Sequence, residues 1–185
     1  MNLIIELGTE KDIDELERLY NDLNDYLSEK INYPGWIKGI YPIRQDAIDG
    51  IKDKHLYTAK YKDKIAGTVI LSHKPETAYK EVKWGGESDY TDVFVIHTFA
   101  VHPEYIKCGI GETLMNFALR CGIEQHMKAI RLDVYENNTP AIRLYEKCGY
   151  KYINKVDLGL GEYGLNWFKL YEKIISQESG LEKIQ

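Results

Sequence analysis

The sequence predicts one mixed α/β (α+β) sheet with helices packed on it, and three observations lead there. The spacing of apolar residues switches repeatedly between helical recurrence and strand alternation, the two periods that set apart one buried face of each element. The switches follow the order β-α-α-β-β-β-α-β-α-β-β, which describes neither a bundle nor a sandwich. The chain has 185 residues, 44% hydrophobic and 29% charged, enough to bury one core in a globular domain.

Leu3 to Leu7 reads as the first strand. Thr9 followed three residues later by Asp12 is a helix-start pattern. Ile13, Leu16, Leu19, Tyr20, Leu23, Tyr26 and Leu27 then recur at helical spacing, which predicts an amphipathic helix over 11–29. The stretch 30–43 is aromatic and rich in turn residues, and a shorter helix follows with Ala47, Ile48 and Ile51 on its buried side. Leu56 to Tyr61 and Ile65 to Ser72 form a hairpin around Lys62-Asp63-Lys64. Residues 73–91, with Pro75, Gly85 and Gly86, read as a loop that reaches over a site. Val93 to Val101 is a strand, 110–125 a helix, and Ala129 to Tyr135 another strand. Thr139-Pro140 opens a helix, proline standing in the first turn where its missing N–H costs nothing, and Gly149 stops it. Strands near 150–158 and 166–174 close the order.

No internal repeat, low-complexity linker or composition break appears, so 1–185 is expected to form a single domain. The net charge of −5, with both signs interspersed, argues against nucleic acid and membrane as partners, since both reward a basic face. Met1 to Glu6 lacks the basic start and apolar stretch of a signal peptide, and no apolar run is long enough to cross a bilayer. Cys108, Cys121 and Cys148 are odd in number without CxxC spacing, so neither a disulfide framework nor a metal site is expected; reduced thiols point to the cytoplasm.

Chemistry concentrates in two stretches. The first is Val101-His102-Pro103-Glu104-Tyr105-Ile106-Lys107-Cys108-Gly109-Ile110-Gly111, a strand running into a glycine-bearing turn that opens a helix. Unsatisfied N–H groups at a helix start, together with the helix dipole, can hold a diphosphate, and glycines let the backbone approach it closely. Neither GxxxxGK[ST] nor GxGxxG is present. On the glycine spacing alone, a tight turn without a ligand explains the stretch equally well.

The second stretch is Asn137-Asn138-Thr139-Pro140-Ala141-Ile142-Arg143-Leu144-Tyr145-Glu146-Lys147-Cys148-Gly149-Tyr150. With the first stretch in that order, one helix and one strand apart, and with Arg131-Leu132-Asp133-Val134 before it, the chain resembles the GNAT superfamily of acyl-CoA-dependent N-acetyltransferases. The resemblance covers about 55 to 175 and extends to the first 50 residues only in layout. It implies a GNAT-like fold: a central, mostly antiparallel sheet with helices on both faces, whose parallel fourth and fifth strands, 93–101 and 129–135, splay apart. It also implies an acyltransferase using acetyl-CoA as co-substrate, without metal, to acetylate a primary amine by direct attack in a ternary complex. The rival from another class is a non-catalytic acyl-CoA-binding sensor. One departure is Ile106, where the family's loop usually carries Gln or Arg; Lys107 either replaces that charge or is a solvated surface lysine.

The residue roles that follow are those the resemblance implies. Phe99 and Val101 would pair their backbone with the pantetheine arm, and the N–H of Val101 or a neighbour would polarise the thioester carbonyl. N–H groups from Ile106, Lys107, Cys108, Gly109, Ile110 and Gly111 would hold the diphosphate, and Asn138 the pantetheine amide. Tyr145 would protonate the departing thiolate, a phenol of pKa ~10 being protonated at neutral pH; without the resemblance its helix face reads as packing. The acceptor amine must lose a proton before attack. His97 is the first candidate base, sharing a strand face with Val95, Phe99 and Val101, and the alternative is a strand histidine with satisfied bonds. Asp92, Glu81 and Glu87 are poorer candidates, and His55, His73, His102 and His126 read as surface or turn residues. Tyr33, Trp36 and Tyr41 are expected to wall the acceptor site, their rings able to hold an ammonium group, or else to form a hydrophobic lid. Glu162 and Tyr163 could form an opposite wall. The acceptor is a small-molecule or peptide amine, and a homodimer is an expectation from the resemblance alone.

Overall fold

The computed structural model describes residues 2–86 and 88–176. The strands are β1 (Ile4–Leu7), β2 (Leu56–Tyr61), β3 (Lys64–Ser72), β4 (Val93–Val101), β5 (Ala129–Tyr135), β6 (Lys151–Val156) and β7 (Phe168–Ile174). The helices are α1 (Ile13–Glu29), α2 (Arg44–Lys52), α3 (Ile110–Glu124) and α4 (Thr139–Lys147). Among the described residues the strands form one seven-stranded sheet in the order β1-β2-β3-β4-β5-β7-β6. The β1–β2, β2–β3, β5–β7 and β6–β7 pairs are antiparallel, and β4 with β5 is parallel, registering Val93–Ile96 on Ala129–Leu132.

The described residues gather into two compact units, each discontinuous in sequence: those up to Leu71 with His97–Leu114, and those of Ser72–Ile96 with those from Met115 onward. In the first unit, the helical stripe read from the sequence forms the core except at Ile13, which is half-buried, and Tyr26, which is exposed. Leu16, Leu19, Tyr20, Leu23 and Leu27 pack with Ala47, Leu56, Ile65, Ile70 and Ala100, each large side chain contributing about 1.5–3 kcal/mol by leaving water. The Thr9/Asp12 start is realised one turn early, as a 3-10 turn Glu10–Asp12 in which Asp12 Oδ2 accepts both Thr9 N–H and Oγ1–H at 2.8 Å. Burial pushes the Asp12 carboxyl up, but Lys60, 2.8 Å away, and the Thr9 donors outweigh it and hold the group below its ordinary range. The β2–β3 turn is tighter than the sequence suggests. Lys62 and Asp63 have φ of +49° and +62°, a two-residue turn whose twist matches the flanking strands, so Lys64 already belongs to β3.

The second unit packs around Tyr79, Val95 and Leu170, with Val82, Trp84, Tyr90, Ile153 and Val156 against them. Tyr79, Val82, Trp84 and Tyr90 belong to the segment between β3 and β4. That segment, read as a loop over a site, is instead bound into the unit's core and contains 3-10 turns at Thr77–Glu81 and Tyr90–Asp92. Glu87 lies outside the described residues. No helix among the described residues is long and apolar enough to cross a membrane.

Candidate functional site

Each unit carries part of the residue set read from the sequence. In the first, His97, Phe99 and Val101 are half-buried and alternate with buried Thr98 and Ala100, as a strand with one accessible face requires. Thr98, however, has φ +44°. A left-handed conformation at a β-branched residue inside a strand is an outlier costing about 1–3 kcal/mol, and it persists only where the surroundings impose it. Here the Tyr41 hydroxyl lies 2.8 Å from Thr98 Oγ1 and accepts the Thr98 N–H at 3.2 Å. Nothing in the sequence marks Thr98, because β-branched side chains are the last expected at positive φ.

The chain leaves β4 through His102, whose role was also hidden in the sequence. Its backbone N–H donates to Ala66 O, its Nδ1 accepts from Glu104 N at 3.2 Å, and its Nε2 lies 3.3 Å from Asp22 Oδ2. The accepting Nδ1 leaves Nε2 as the protonated nitrogen. The imidazole thus fixes the 3-10 turn Pro103–Tyr105 that leads into the glycine turn.

In that turn the six residues assigned to diphosphate binding separate into two groups. Ile106 N–H donates to Pro103 O and Cys108 N–H to Tyr105 O, so both are engaged within the turn. Lys107 (φ +64°) and Gly109 (φ +82°) are left-handed with Cys108 between them, an arrangement that turns successive N–H groups toward a common concavity suited to an anion. The first hydrogen bond of α3 runs from Thr113 N to Gly109 O, so the N–H groups of Gly109, Ile110 and Gly111 precede the helical ladder. A Cβ added at Gly109 would meet nothing within 4 Å, so the space in front of this backbone is open. Beneath, Gly67 of β3 lets the helix start sit close to the sheet: a Cβ there would lie 3.0 Å from both Ala100 O and Ile110 Cγ2. The donor set therefore fits a diphosphate.

Trp36 is half-buried against the first unit's core and meets Tyr41 edge-on, with ring centroids 5.5 Å apart at 85°. Tyr33 is half-buried, while Ile31, Ile37 and Ile40 around it are exposed. A separate cavity of about 330 Å³ in this unit is lined by Glu17, Tyr20, Asn21, Gly39, Ile43, Arg44, Gln45 and Ile48, and none of the predicted site residues lines it.

In the second unit, Asn138 caps α4, its Oδ1 accepting Ala141 N–H at 3.4 Å. Tyr145, on that helix, is buried, and its ring lies 6.2 Å from Tyr150 and 6.5 Å from Tyr171. Tyr171 donates to Glu146 Oε1 at 3.0 Å, and burial with that carboxylate pushes its hydroxyl up to about 12. Burial, with Cys148 and Tyr145 nearby, raises the Tyr150 hydroxyl well above the ordinary phenol range. Lys173 Nζ bonds Cys148 O at the other end of α4, placing a cation where the helix dipole favours one. His73 proves structural, its Nδ1 lying 3.0 and 2.9 Å from Tyr90 O and Val93 O. Tyr163 and Glu162 sit in an exposed 3-10 turn. No His, Cys, Asp and Glu cluster able to hold a metal ion occurs among the described residues.

The chain is 26% identical over 116 residues to streptothricin acetyltransferase of Escherichia coli, covering 61% of this chain and 58% of that protein. It is 30% identical over 149 residues to the UPF0157 protein YqkA of Bacillus subtilis, covering 77% of this chain and 39% of that protein. The chain thus spans about half the length of these curated relatives. A GNAT-family acetyltransferase structure from Streptococcus agalactiae shares the fold at TM-score 0.76 and 23% identity, over 94% of this chain and 96% of that one. The sequence profile described as the acetyltransferase (GNAT) family matches residues 16–150. The chain belongs to that family.

Proposed function

We propose that this protein is an N-acetyltransferase that moves an acetyl group from acetyl-CoA to a primary amine, as one domain spanning 1–185. The observation that carries the reading is the turn at 106–111, with Lys107 and Gly109 left-handed and the N–H groups of Gly109, Ile110 and Gly111 outside the α3 ladder. Similarity to streptothricin acetyltransferase supports acetyl as the group moved. Cys108, Cys121 and Cys148 are thiols rather than disulfide halves, which supports a reducing compartment, the cytoplasm.

When bound, acetyl-CoA supplies an activated thioester. Lys107, Gly109, Ile110 and Gly111 hold its diphosphate through backbone N–H groups, while Ile106 and Cys108 shape the turn through bonds of their own. Phe99 and Val101 offer strand backbone to the pantetheine arm, and the N–H of Val101 or a neighbour would polarise the thioester carbonyl. Asn138, its Oδ1 engaged in capping, offers Nδ2 to a pantetheine carbonyl.

An acceptor resembling lysine has a pKa near ~10.4, so deprotonating it at neutral pH costs about 4–5 kcal/mol. His97 takes that proton, directly or through water. Tyr145 gives its hydroxyl proton to the departing thiolate; reference values of ~10 and ~8.5 make full transfer only about 2 kcal/mol uphill. Tyr33, Trp36 and Tyr41 wall the acceptor, a small-molecule or peptide amine.

Purified protein incubated with acetyl-CoA and a broad amine panel, beside Tyr145→Phe, tests the reading. Acceptor-dependent thiol release that falls about 100-fold or more in the variant is the expected result. Tight acetyl-CoA binding with no acceptor-dependent release would instead make the protein a sensor, and no binding at all would remove the co-substrate assignment.

A further inference from the structure

We infer that Tyr41 is a positioning residue, its hydroxyl holding the β4 backbone at Thr98 in the left-handed conformation on which donor binding at Phe99 and Val101 depends. The inference rests on the transferase reading above and assigns Tyr41 a task beyond that of an acceptor wall. Thr98 is buried and takes φ +44° in the middle of a strand, a conformation its branched side chain opposes. One phenol oxygen meets two of that residue's polar groups: it accepts the Thr98 N–H at 3.2 Å and shares a 2.8 Å bond with Oγ1. With the N–H as donor, the Tyr41 hydroxyl can give its own proton to Oγ1, so both bonds form together.

Tyr41 is itself held on three sides. Its N–H donates to Ile37 O at 3.0 Å, and its carbonyl accepts from the buried Asn24 Nδ2 at 3.4 Å. Trp36 packs edge-on against its ring. The hydroxyl is therefore delivered to Thr98 by the same short segment that would meet the acceptor. Phe99 follows Thr98 directly and Val101 comes two residues later, so a change in φ at Thr98 re-aims the strand groups assigned to the donor. Donor and acceptor sites then share one hydrogen-bonded link, and disturbing the 36–41 segment alters acetyl-CoA binding without touching the diphosphate turn.

The test uses the full chain as wild type, Tyr41→Phe, Thr98→Gly and the double variant. Two quantities are measured: the exchange rate of the backbone amide at position 98 by NMR, and the acetyl-CoA dissociation constant by calorimetry. Tyr41→Phe is expected to speed amide exchange about 10-fold or more and to weaken acetyl-CoA binding about 5- to 10-fold. Glycine adopts positive φ without the side-chain penalty, so in the Thr98→Gly background the same substitution is expected to change binding less than about twofold. Unchanged exchange and affinity in Tyr41→Phe would overturn the inference, as would an equal loss of affinity in both backgrounds. If wild type binds no acetyl-CoA, the transferase reading falls, and the exchange rate alone then decides whether Tyr41 holds Thr98. Should Tyr41→Phe fail to fold, Thr98→Val removes only the hydroxyl partner. It is expected to weaken binding about two- to fivefold, and no weakening would overturn the inference.

Discussion

The segments 30–43 and 73–92 look alike in sequence, both aromatic and punctuated by Pro and Gly, yet they are held by opposite means. The second is fastened through buried charge. Arg131 and Glu172, each 2% exposed, pair at 2.9 Å. Arg131 also donates to Gly86 O, and Glu172 Oε2 accepts the Gly85 N–H. The guanidinium carbon lies 4.4 Å from the Trp84 ring centroid and 5.1 Å from that of Tyr90, placing an aromatic face against the cation. Tyr79 donates to Asp133 Oδ2 at 2.6 Å, and burial together with that carboxylate raises its hydroxyl well above the ordinary phenol range. The first segment is tied at the surface: Lys38 meets Asp25 at 2.6 Å with both side chains about half exposed, and Asn32 Nδ2 donates to Trp36 O. Its attachments to buried groups are the Trp36 ring on the unit's core and Tyr41, whose hydroxyl meets Thr98 and whose carbonyl accepts from Asn24. A segment held by a desolvated ion pair cannot shift without stranding a charge, whereas one held by exposed bonds can adapt.

Substitutions that attack the two sets of ties should give unequal effects. Arg131→Ala strands Glu172 in the core and releases Gly86, with an expected loss of about 3–5 kcal/mol in chemical denaturation. Tyr79→Phe leaves the ring packed but removes one bond to a carboxylate, an expected loss of about 1.5–3 kcal/mol by the same measurement. Lys38→Ala breaks a solvent-screened pair and should cost less than about 1 kcal/mol by the same measurement. A loss for Lys38→Ala matching that for Tyr79→Phe would erase the contrast between the segments.

Much of this was legible in the chain. The α1 stripe from Leu16 to Leu27, the proline at the start of α4 and the strand-turn-helix at 101–111 were readable because each depends on neighbours within a few residues. Asn138 was singled out only through the resemblance, for the pantetheine amide, and its capping bond to Ala141 N–H came from the structure. Arg131 stood inside a recognised strand pattern, but its partner Glu172 is 41 residues away and reaches it only through the β5–β7 register. The 73–92 segment misled because its Gly and Pro content signals irregular backbone, while its aromatic residues belong to the core.

Local periodicity and capping thus determined the element order from sequence alone, and the resemblance carried by the two motifs implied the parallel strand pair and pointed to the family. Only the tertiary structure decided which irregular segment is tied by buried charge and that Thr98 is left-handed. Each depends on an atom brought in from far along the chain: Glu172 lies 41 residues from Arg131, and Tyr41 Oη 57 residues from Thr98. No spacing rule within a strand or helix carries that information, because the hydrogen bond exists only once the two backbones have been packed together.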